Sequence, residues 1–248
     1  MTLKKRFALY EINVKWFEKG FIMPSCFKDG LFLWMSCFRS SIQLVHGVCL
    51  LSKIRVPIVT VFGGSRVEQN NIYAQQAYEL GKKLVESNMA VLTGGGPGIM
   101  LAANCGAMHM GNIKEKKSLW SVGIGLKGVD EHFHNPCARF IRVDSFATRK
   151  YLLMYHSIGF IALPGGIGTA DEVFDVFDRL KHEKIQRKPI IFVGKKYWQP
   201  LFDWLENTMV AQHYATETSK HFFVLTDSID EAVALMKQRL PLKLFASN

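Results

Sequence analysis

From Val56 onward, short apolar runs alternate with longer segments whose apolar residues recur at helical spacing. Short runs that are almost entirely apolar are typical of strands buried on both faces. Strands that alternate with helices predict an α/β fold, a doubly wound parallel sheet with helices on both faces. The predicted strands are residues 58–62, 90–93, 121–126, 140–143, 158–163, 189–193 and 222–225, and the predicted helices are residues 72–86, 99–110, 147–157, 169–183, 198–209 and 228–239.

Residues 1–55 lack this alternation, so we divide the chain into an N-terminal extension, 1–55, and a single domain, 56–248. The extension is rich in aromatic residues, and we expect it to be helical. It suits either a helix that packs on the domain or on a partner subunit, or an amphipathic segment that lies on a membrane surface. We favour the packed helix. The extension is not expected to span a membrane, because its longest uncharged stretch, residues 40–52, is shorter than the roughly 20 apolar residues that cross a bilayer.

The charge distribution argues against nucleic acid as the main partner. The chain carries a formal charge of +10, which by itself favours such a partner. The extension holds nine Lys or Arg against three Asp or Glu, so it supplies +6 of that charge and leaves +4 for the domain. The basic excess therefore lies mostly outside the domain's glycine-rich segments.

The cysteines predict a reducing environment. They are odd in number, widely spaced and contain no C-x-x-C pair, which is typical of reduced thiols in a cytoplasmic protein. His132, His134 and Cys137 do not form a convincing zinc site, because a fourth ligand at a standard spacing is missing. The five cysteines are Cys26, Cys37, Cys49, Cys105 and Cys137.

Glycine-rich turns follow three of the predicted strands. They are Gly63-Gly-Ser-Arg66, Gly94-Gly-Gly-Pro-Gly98 and Pro164-Gly-Gly-Ile-Gly168. The carboxyl ends of parallel strands meet at one edge of the sheet, where ligands bind in such folds. Glycine lets the backbone approach a ligand closely, and free N–H groups at a helix start favour an anion. We therefore predict a phosphate site at this edge.

Glu172 follows the last of these turns, within the next predicted helix. Thr169 and Glu172 have the spacing of a capping box, in which the glutamate only reaches back to its own helix start. That interpretation leaves the three glycines before Thr169 unexplained. The alternative is a carboxylate placed against the part of the ligand that is not phosphate.

Two other patterns carry no function in our reading. The segment Gly123-Ile-Gly-Leu-Lys-Gly128 matches the dinucleotide fingerprint, but no helix start follows it, so we treat the match as accidental. A P-loop motif is missing from the sequence. His156 is two helical turns from Arg149, and we expect a partly buried, hydrogen-bonded histidine there rather than a substrate ligand.

These residues carry a resemblance to a known family. The segment Pro164-Gly-Gly-Ile-Gly-Thr-Ala-Asp-Glu172 is similar to the P-G-G-x-G-T-x-x-E signature of the Lonely Guy phosphoribohydrolases. Thr93-Gly-Gly-Gly-Pro-Gly-Ile-Met100 and Arg149-Lys150 resemble the other two marks of that family, in the same order. The resemblance covers roughly residues 55–240. Such proteins have often been labelled lysine decarboxylases, but nothing in these motifs supplies the pyridoxal-phosphate chemistry that the label requires.

The resemblance implies a Rossmann-like homo-oligomer that hydrolyses nucleoside 5′-monophosphates, AMP-like substrates of purine or pyrimidine metabolism, to free base and ribose 5-phosphate. It implies Glu172 and Arg149 as catalytic residues, with Lys150 as a supporting cation. It implies no metal and no cofactor. The substrate-binding residues that we expect are Gly165, Gly166, Gly168 and Thr169 at the phosphate, Gly95 and Gly96 on the opposite wall, and Ser65 and Arg66 on the first turn.

One segment departs from the family pattern. Residues Phe146-Ala-Thr-Arg-Lys150 stand where cytokinin-activating members have a run similar to M-H-E-R-K. We therefore expect an ordinary nucleotide as substrate rather than a cytokinin precursor. Two functions from other classes stay open: a non-catalytic nucleotide sensor or carrier, and a nucleic-acid binder that uses the basic extension.

Overall fold

The computed structural model describes residues 25–114, 119–129, 133–215 and 223–238. Residues 1–24 of the predicted extension, His132, and the predicted element ends at 222 and 239 lie outside the described residues. The helices are α1 Ser25–Leu51, α2 Ile72–Glu86, α3 Ile99–Lys114, α4 Phe146–Tyr155, α5 Ile167–Lys181, α6 Lys195–Trp204, continued by a π-helical turn Leu205–Val210, and α7 Ile229–Gln238. The strands are β1 Ile58–Phe62, β2 Ala90–Thr93, β3 Ser121–Leu126, β4 Arg139–Val143, β5 Ser157–Ala162, β6 Ile190–Val193 and β7 Phe223–Thr226.

The described strands form one parallel sheet in the order β4-β3-β2-β1-β5-β6-β7. The chain first winds outward from β1 to β4 and then returns to the other side of β1 with β5. The order therefore reverses between β1 and β5, which is the doubly wound, Rossmann-like arrangement. At this reversal the two outgoing loops diverge and leave a crevice, which is where ligands bind in open α/β sheets.

The sheet separates two apolar layers, as the alternation of strand side chains requires. In β1, Ile58 and Phe62 face one layer, while Val59 and Val61 face the other. The first layer contains residues of α4, α5 and α6, and the second contains residues of α2, α3 and α7. Helices thus cover both faces, which explains why the strands are almost entirely apolar.

The described chain divides into two units after Ile42, within α1. In the larger unit, the end of α1 belongs to the core: Leu51 is buried, and Gly47 lies so close to Leu152 that a Cβ would collide with it. In the smaller unit, Trp34 and Phe38 are exposed and stack on each other, with ring centroids 5.4 Å apart. Among the described residues, no helix has the length and apolar character needed to cross a membrane.

The prediction that the cysteines are reduced thiols is wrong for one pair. Cys105 in α3 and Cys137 before β4 form a disulfide, with their Cα atoms 4.7 Å apart. Their separation of 32 positions in sequence gives no sign of this proximity, which arises because α3 and the segment before β4 meet beside β3. Cys37 and Cys49 are free and exposed.

Candidate functional site

The three glycine turns meet at the carboxyl edge of the sheet, as predicted. The Gly64 N–H donates to the Pro164 carbonyl at 3.0 Å, which joins the turns after β1 and β5. The Ile99 N–H donates to the Gly64 carbonyl at 3.0 Å, which joins the turns after β1 and β2. A Cβ on Gly98 would lie 2.4 Å from the Gly64 carbonyl oxygen. The absence of side chains therefore lets the three backbones pack directly against one another.

The turn after β5 leads directly into α5, which begins at Ile167 with Gly166 as its N-cap. The helix therefore starts two residues before the predicted start at 169, because Gly166 adopts the extended N-cap conformation. A Cβ on Gly165 would collide with Thr169 Oγ1 at 2.2 Å, so packing explains that glycine. A Cβ on Gly166 or Gly168 would meet no atom within 4 Å. Packing therefore does not explain these two glycines, and open space lies in front of the helix start.

Glu172 is not part of a capping box, because it lies in the second turn of α5. Its Oε1 atom is 3.3 Å from Nη2 of Arg149, and only 9% of its side-chain surface is exposed. Burial raises the pKa of Glu172 to about 7, while the Arg149 guanidinium opposes that rise. The carboxyl group is therefore poised between its two protonation states near neutral pH.

Arg149 is held in place by two further contacts. Its Nε donates to the Ile124 carbonyl within β3, with a distance of 3.0 Å. Its guanidinium lies against Gly94, where a Cβ would be 2.0 Å from Nη2. The missing side chain of Gly94 thus leaves the room that the guanidinium occupies. The pair Arg149–Glu172 connects the turn after β2 with the helix that follows β5.

The remaining predicted site residues occupy less central positions. Lys150 forms an ion pair with Asp171 at 2.8 Å, next to Glu172 along α5. Ser65 and Arg66 are exposed on the turn after β1. The structure therefore brings the turn residues, Arg149 and Glu172 together, and it places Lys150, Ser65 and Arg66 around them.

A cavity of about 190 Å³ opens beside Arg149. Gly95 and Gly96 line it, whereas the turn Pro164–Gly168 lies outside its lining. Phe133 and Phe140 add aromatic surface, and Lys127 and Arg142 add positive charge. The cavity can hold a planar, polar group next to the Arg149–Glu172 pair.

The accidental fingerprint has a structural role. Gly123 and Gly125 lie inside β3 rather than in a turn before a helix. A Cβ on Gly125 would lie 2.2 Å from the Phe140 ring, and one on Gly95 would lie 2.5 Å from it. These glycines therefore let the Phe140 ring lie against the backbone at the cavity wall.

Sequence reasoning missed several residues that contact the site. Tyr197 of α6 donates a hydrogen bond from its hydroxyl to the Gly165 carbonyl. Asn104, in the small-residue helix α3, forms hydrogen bonds behind the turn after β2. An amide within a run of alanine and glycine was the available signal for Asn104. Phe133 and Phe140 have no local signal, because only the fold brings them to the cavity.

Two residues with alternative roles are also placed. Cys137 is bonded to Cys105, so it is not free to bind zinc, and the described residues contain no group of three or more metal-binding side chains. His156 is the C-cap residue of α4. Its Nε2 atom is buried without a hydrogen-bond partner among the described residues, so the expectation that this histidine is hydrogen-bonded fails at that nitrogen.

Comparisons with known proteins agree with this geometry. A family model described as "Possible lysine decarboxylase" matches residues 100–236. A cytokinin riboside 5′-monophosphate phosphoribohydrolase of Rhodococcoides fascians is 27% identical over 186 residues, which cover 72% of this chain and 88% of that protein. A probable enzyme of the same name from Oryza sativa subsp. japonica is 28% identical over 199 residues, 78% of each chain. The molybdenum cofactor binding protein of Rippkaea orientalis has a similar fold, with a TM-score of 0.54 at 22% identity over 74% of this chain and 96% of that one.

Proposed function

Because this chain belongs to the Lonely Guy family, whose members the family model describes as possible lysine decarboxylases, we propose that it hydrolyses the N-glycosidic bond of nucleoside 5′-monophosphates. The products are the free base and ribose 5-phosphate. The observation that carries this proposal is the buried ion pair between Glu172 and Arg149, which lies between two glycine turns at the carboxyl edge of the sheet. Relatives named cytokinin riboside 5′-monophosphate phosphoribohydrolases support the reaction class.

The 5′-phosphate binds at the start of α5. The open space in front of Gly166 and Gly168 gives a phosphate access to the first N–H groups of that helix. These groups and the positive end of the helix dipole favour an anion. Thr169 is buried one turn into the helix and completes this end of the site. Binding energy from the phosphate then holds the ribose beside Glu172.

Glu172 stabilises the charge that develops during the reaction. Cleavage of an N-glycosidic bond places positive charge on the ribose ring, in a transition state similar to that of glycoside hydrolysis. A fixed carboxylate is complementary to this charge and does not need to reorganise. Glu172 acts in its ionised form, and it orients the attacking water through the same oxygen atoms.

Arg149 assists departure of the base. Its guanidinium lies at the border between Glu172 and the cavity, so it contacts both the carboxylate and a base placed in the cavity. Negative charge that develops on the departing base is stabilised by this cation. Lys150 pairs with Asp171 and supports the site without touching the substrate.

The base is an ordinary purine or pyrimidine, with AMP as the reference substrate. The segment Phe146–Lys150 departs from the pattern of cytokinin-activating members, so the cavity differs on that side. No metal or cofactor has a step in this mechanism. A cytoplasmic location also remains part of the proposal, although the disulfide between Cys105 and Cys137 removes the argument from reduced thiols.

The protein is a homodimer or a larger homo-oligomer in this proposal. Ile167, at the start of α5, is 90% exposed, and Phe174, seven residues further along the same helix side, is 38% exposed. Apolar side chains exposed together beside a binding site favour a protein contact. Native mass spectrometry measures the subunit number, and a monomer would contradict this part of the proposal.

The substitution Glu172→Gln tests the catalytic role. It keeps the size of the side chain and removes its charge, so we expect kcat for AMP to fall by about 100-fold or more while ribose 5-phosphate still binds. Asp171→Asn is the matched control, because it removes the neighbouring exposed carboxylate and leaves Glu172 in place. Free base is measured by chromatography, and product binding by calorimetry.

A nucleotide sensor would give another pattern. The wild-type protein would then bind AMP without releasing base, and Glu172→Gln would behave like Asp171→Asn. That result would exclude the hydrolase.

A further inference from the structure

A buried polar cluster behind the turn after β2 takes no part in the chemistry proposed above. We name Thr93, Asn104, Ser121 and Asn135 the polar clamp. All four residues are buried, and Thr93, Asn104 and Asn135 have no exposed surface. Polar groups without access to water destabilise a fold unless they are hydrogen-bonded. The hydrogen bonds within the clamp therefore decide whether these buried groups stabilise the fold.

Asn104, in α3, is the centre of the clamp. Its Oδ1 accepts hydrogen bonds from Thr93 Oγ1 at 2.6 Å and from Asn135 Nδ2 at 3.0 Å. Its Nδ2 donates to Ser121 Oγ at 2.9 Å and to the Val122 carbonyl at 3.2 Å. These four bonds use both acceptor positions and both protons of the amide. The amide of Asn104 is therefore fully satisfied in one orientation.

The hydrogen bonds from Asn104 through Thr93, one branch of the clamp, hold the glycine turn after β2. The Thr93 hydroxyl has a single proton, which it donates to Asn104, so its lone pairs are free to accept the Gly95 N–H at 3.0 Å. Gly95 has a φ of 74°, a left-handed conformation that needs a glycine and a partner for its backbone. Asn104 thus orients the hydroxyl that holds Gly95 in the conformation that lines the cavity.

The other branch fixes the opposite cavity wall. Asn135 donates to Asn104, and its own Oδ1 accepts the Cys137 N–H at 3.0 Å. Ser121 Oγ donates to the Cys137 carbonyl at 2.7 Å. Phe133, two residues before Asn135, lines the cavity. The turn at Gly95 and the segment that carries Phe133 are therefore attached to the same buried amide.

We propose that Asn104 is a positioning residue that sets the distance between these two walls of the cavity and thereby the affinity for the substrate. The identity of the ligand rests on the proposed function, whereas the role in holding the walls does not. Aspartate would not replace asparagine here, because a carboxylate cannot donate to the Val122 carbonyl and would bring an unpaired charge into a buried site. An apolar residue would leave the Thr93 hydroxyl without its acceptor.

The test compares Asn104→Ala with Thr60→Val. Thr60 is also fully buried, and its hydroxyl bonds to Leu153 and Ser157 rather than to a glycine turn. Both variants lose buried hydrogen bonds, but only Asn104→Ala loses the attachment of the cavity walls. We expect hydrogen exchange of the amides in residues 93–99 to become about tenfold faster in Asn104→Ala and to stay unchanged in Thr60→Val. Mass spectrometry of proteolytic peptides measures this exchange.

Substrate kinetics and product binding give the second readout. We expect KM for AMP and the dissociation constant of free adenine to rise about tenfold in Asn104→Ala, because the base is the part of the substrate placed in the cavity. The dissociation constant of ribose 5-phosphate should stay unchanged and kcat should change much less, because the phosphate site and Glu172 lie outside the cavity walls. Asn135→Ala, which cuts only the branch to Phe133, should raise KM without faster exchange at Gly95.

Equal exchange in Asn104→Ala and Thr60→Val would overturn the inference, whatever the activity. Faster exchange with unchanged affinity for adenine would also overturn it, because the cavity walls would then not set affinity. A wild-type protein that releases no base would instead defeat the proposed function, and the exchange and binding data would still decide on Asn104.

Discussion

At the scale of single residues, the unusual group is Glu172, a carboxyl that burial drives toward its neutral form. Burial is the largest influence and raises its pKa, Arg149 lowers it, Asp171 raises it and Lys150 lowers it to a lesser degree, which together leave a pKa of about 7. A carboxylate that is to stabilise a cationic ring must be ionised. The neighbouring cations therefore offset part of the effect of burial, and Glu172 becomes fully ionised only above neutral pH.

This balance predicts the pH dependence of the reaction. Since the ionised form of Glu172 is the active one, kcat/KM should rise with pH and level off above about pH 7. Arg149→Gln removes the stronger of the two cations that lower this pKa, so the rising limb should move to higher pH and the maximal rate should fall. Lys150→Gln is the matched control and should move the limb less, in the same direction. A limb that stays in place in both variants would show that another group titrates.

Some features of single residues can be predicted from neighbouring residues in the sequence, and others cannot. The turns and the start of α5 are visible in the sequence because glycine density and an apolar run are local properties. Glu172 and Arg149 are more than twenty positions apart in the chain, and the motif resemblance indicated both as catalytic residues without predicting that they form an ion pair. The Thr169–Glu172 capping pattern was misleading, because Gly166 ends the turn earlier than the threonine does.

At the scale of elements, a substitution in the first turn of α5 should raise the stability of the fold and lower the affinity for AMP. Gly168→Ala adds a Cβ to open space inside a helix, so it should stabilise the fold by up to about 1 kcal/mol. The same methyl group enters the space that the phosphate is proposed to occupy, so KM for AMP should rise. Gly165→Ala should destabilise the fold instead, because its Cβ would collide with Thr169. Thermal unfolding and steady-state kinetics of both variants measure these effects.

One result for Gly168→Ala would contradict phosphate binding at the start of α5. An alanine at 168 that raises stability and leaves KM unchanged would show that no substrate group approaches this helix start. The phosphate would then have to bind elsewhere.

A second element-scale prediction concerns the disulfide. Cys105–Cys137 closes a loop of 32 residues, and a loop of this size lowers the entropy of the unfolded chain enough to stabilise the fold by about 3–4 kcal/mol. Cys137→Ser should lower the free energy of unfolding by that order, measured by urea denaturation under oxidising conditions. Cys37→Ser is the matched control, because Cys37 is free and exposed. Equal stability of the two variants would contradict the structural role of the bond.

Element boundaries follow the sequence closely for a physical reason. The strands β1, β2 and β3 have the bounds that the pattern predicts, because each is a short, mostly apolar run that is followed by a glycine or a charged residue. The helix ends are less well determined: α3 continues past 110 to Lys114, and the helix predicted over 198–209 begins at Lys195 and ends as a π-helical turn. Small-residue and mixed segments lack a sharp end signal, so these bounds depend on tertiary contacts.

At the scale of the whole molecule, the sheet order explains why the site forms where it does. The reversal between β1 and β5 brings the turns after both strands together, and β2 lies beside β1 with the third turn. The alternation of strands and helices predicted a parallel sheet, but it did not determine this order. The disulfide and the polar clamp were beyond sequence reasoning for the same reason: both depend on which strands become neighbours.

The described part of the N-terminal extension is helical over Ser25–Leu51. The division of the chain into an extension, 1–55, and a domain, 56–248, stays a prediction. The packed helix and the membrane-surface segment stay predictions for the exposed aromatic residues around Trp34. The proposed reaction does not depend on them, because every group assigned to it lies after Val56.

The most direct measurement is incubation of the purified protein with a panel of nucleoside 5′-monophosphates and the corresponding unphosphorylated nucleosides, with both products quantified. The account predicts equal amounts of free base and ribose 5-phosphate from at least one monophosphate, and much slower release of base from its nucleoside, because the phosphate anchors the ribose beside Glu172. Release of base from the nucleoside at the same rate, or from no monophosphate at all, would contradict it.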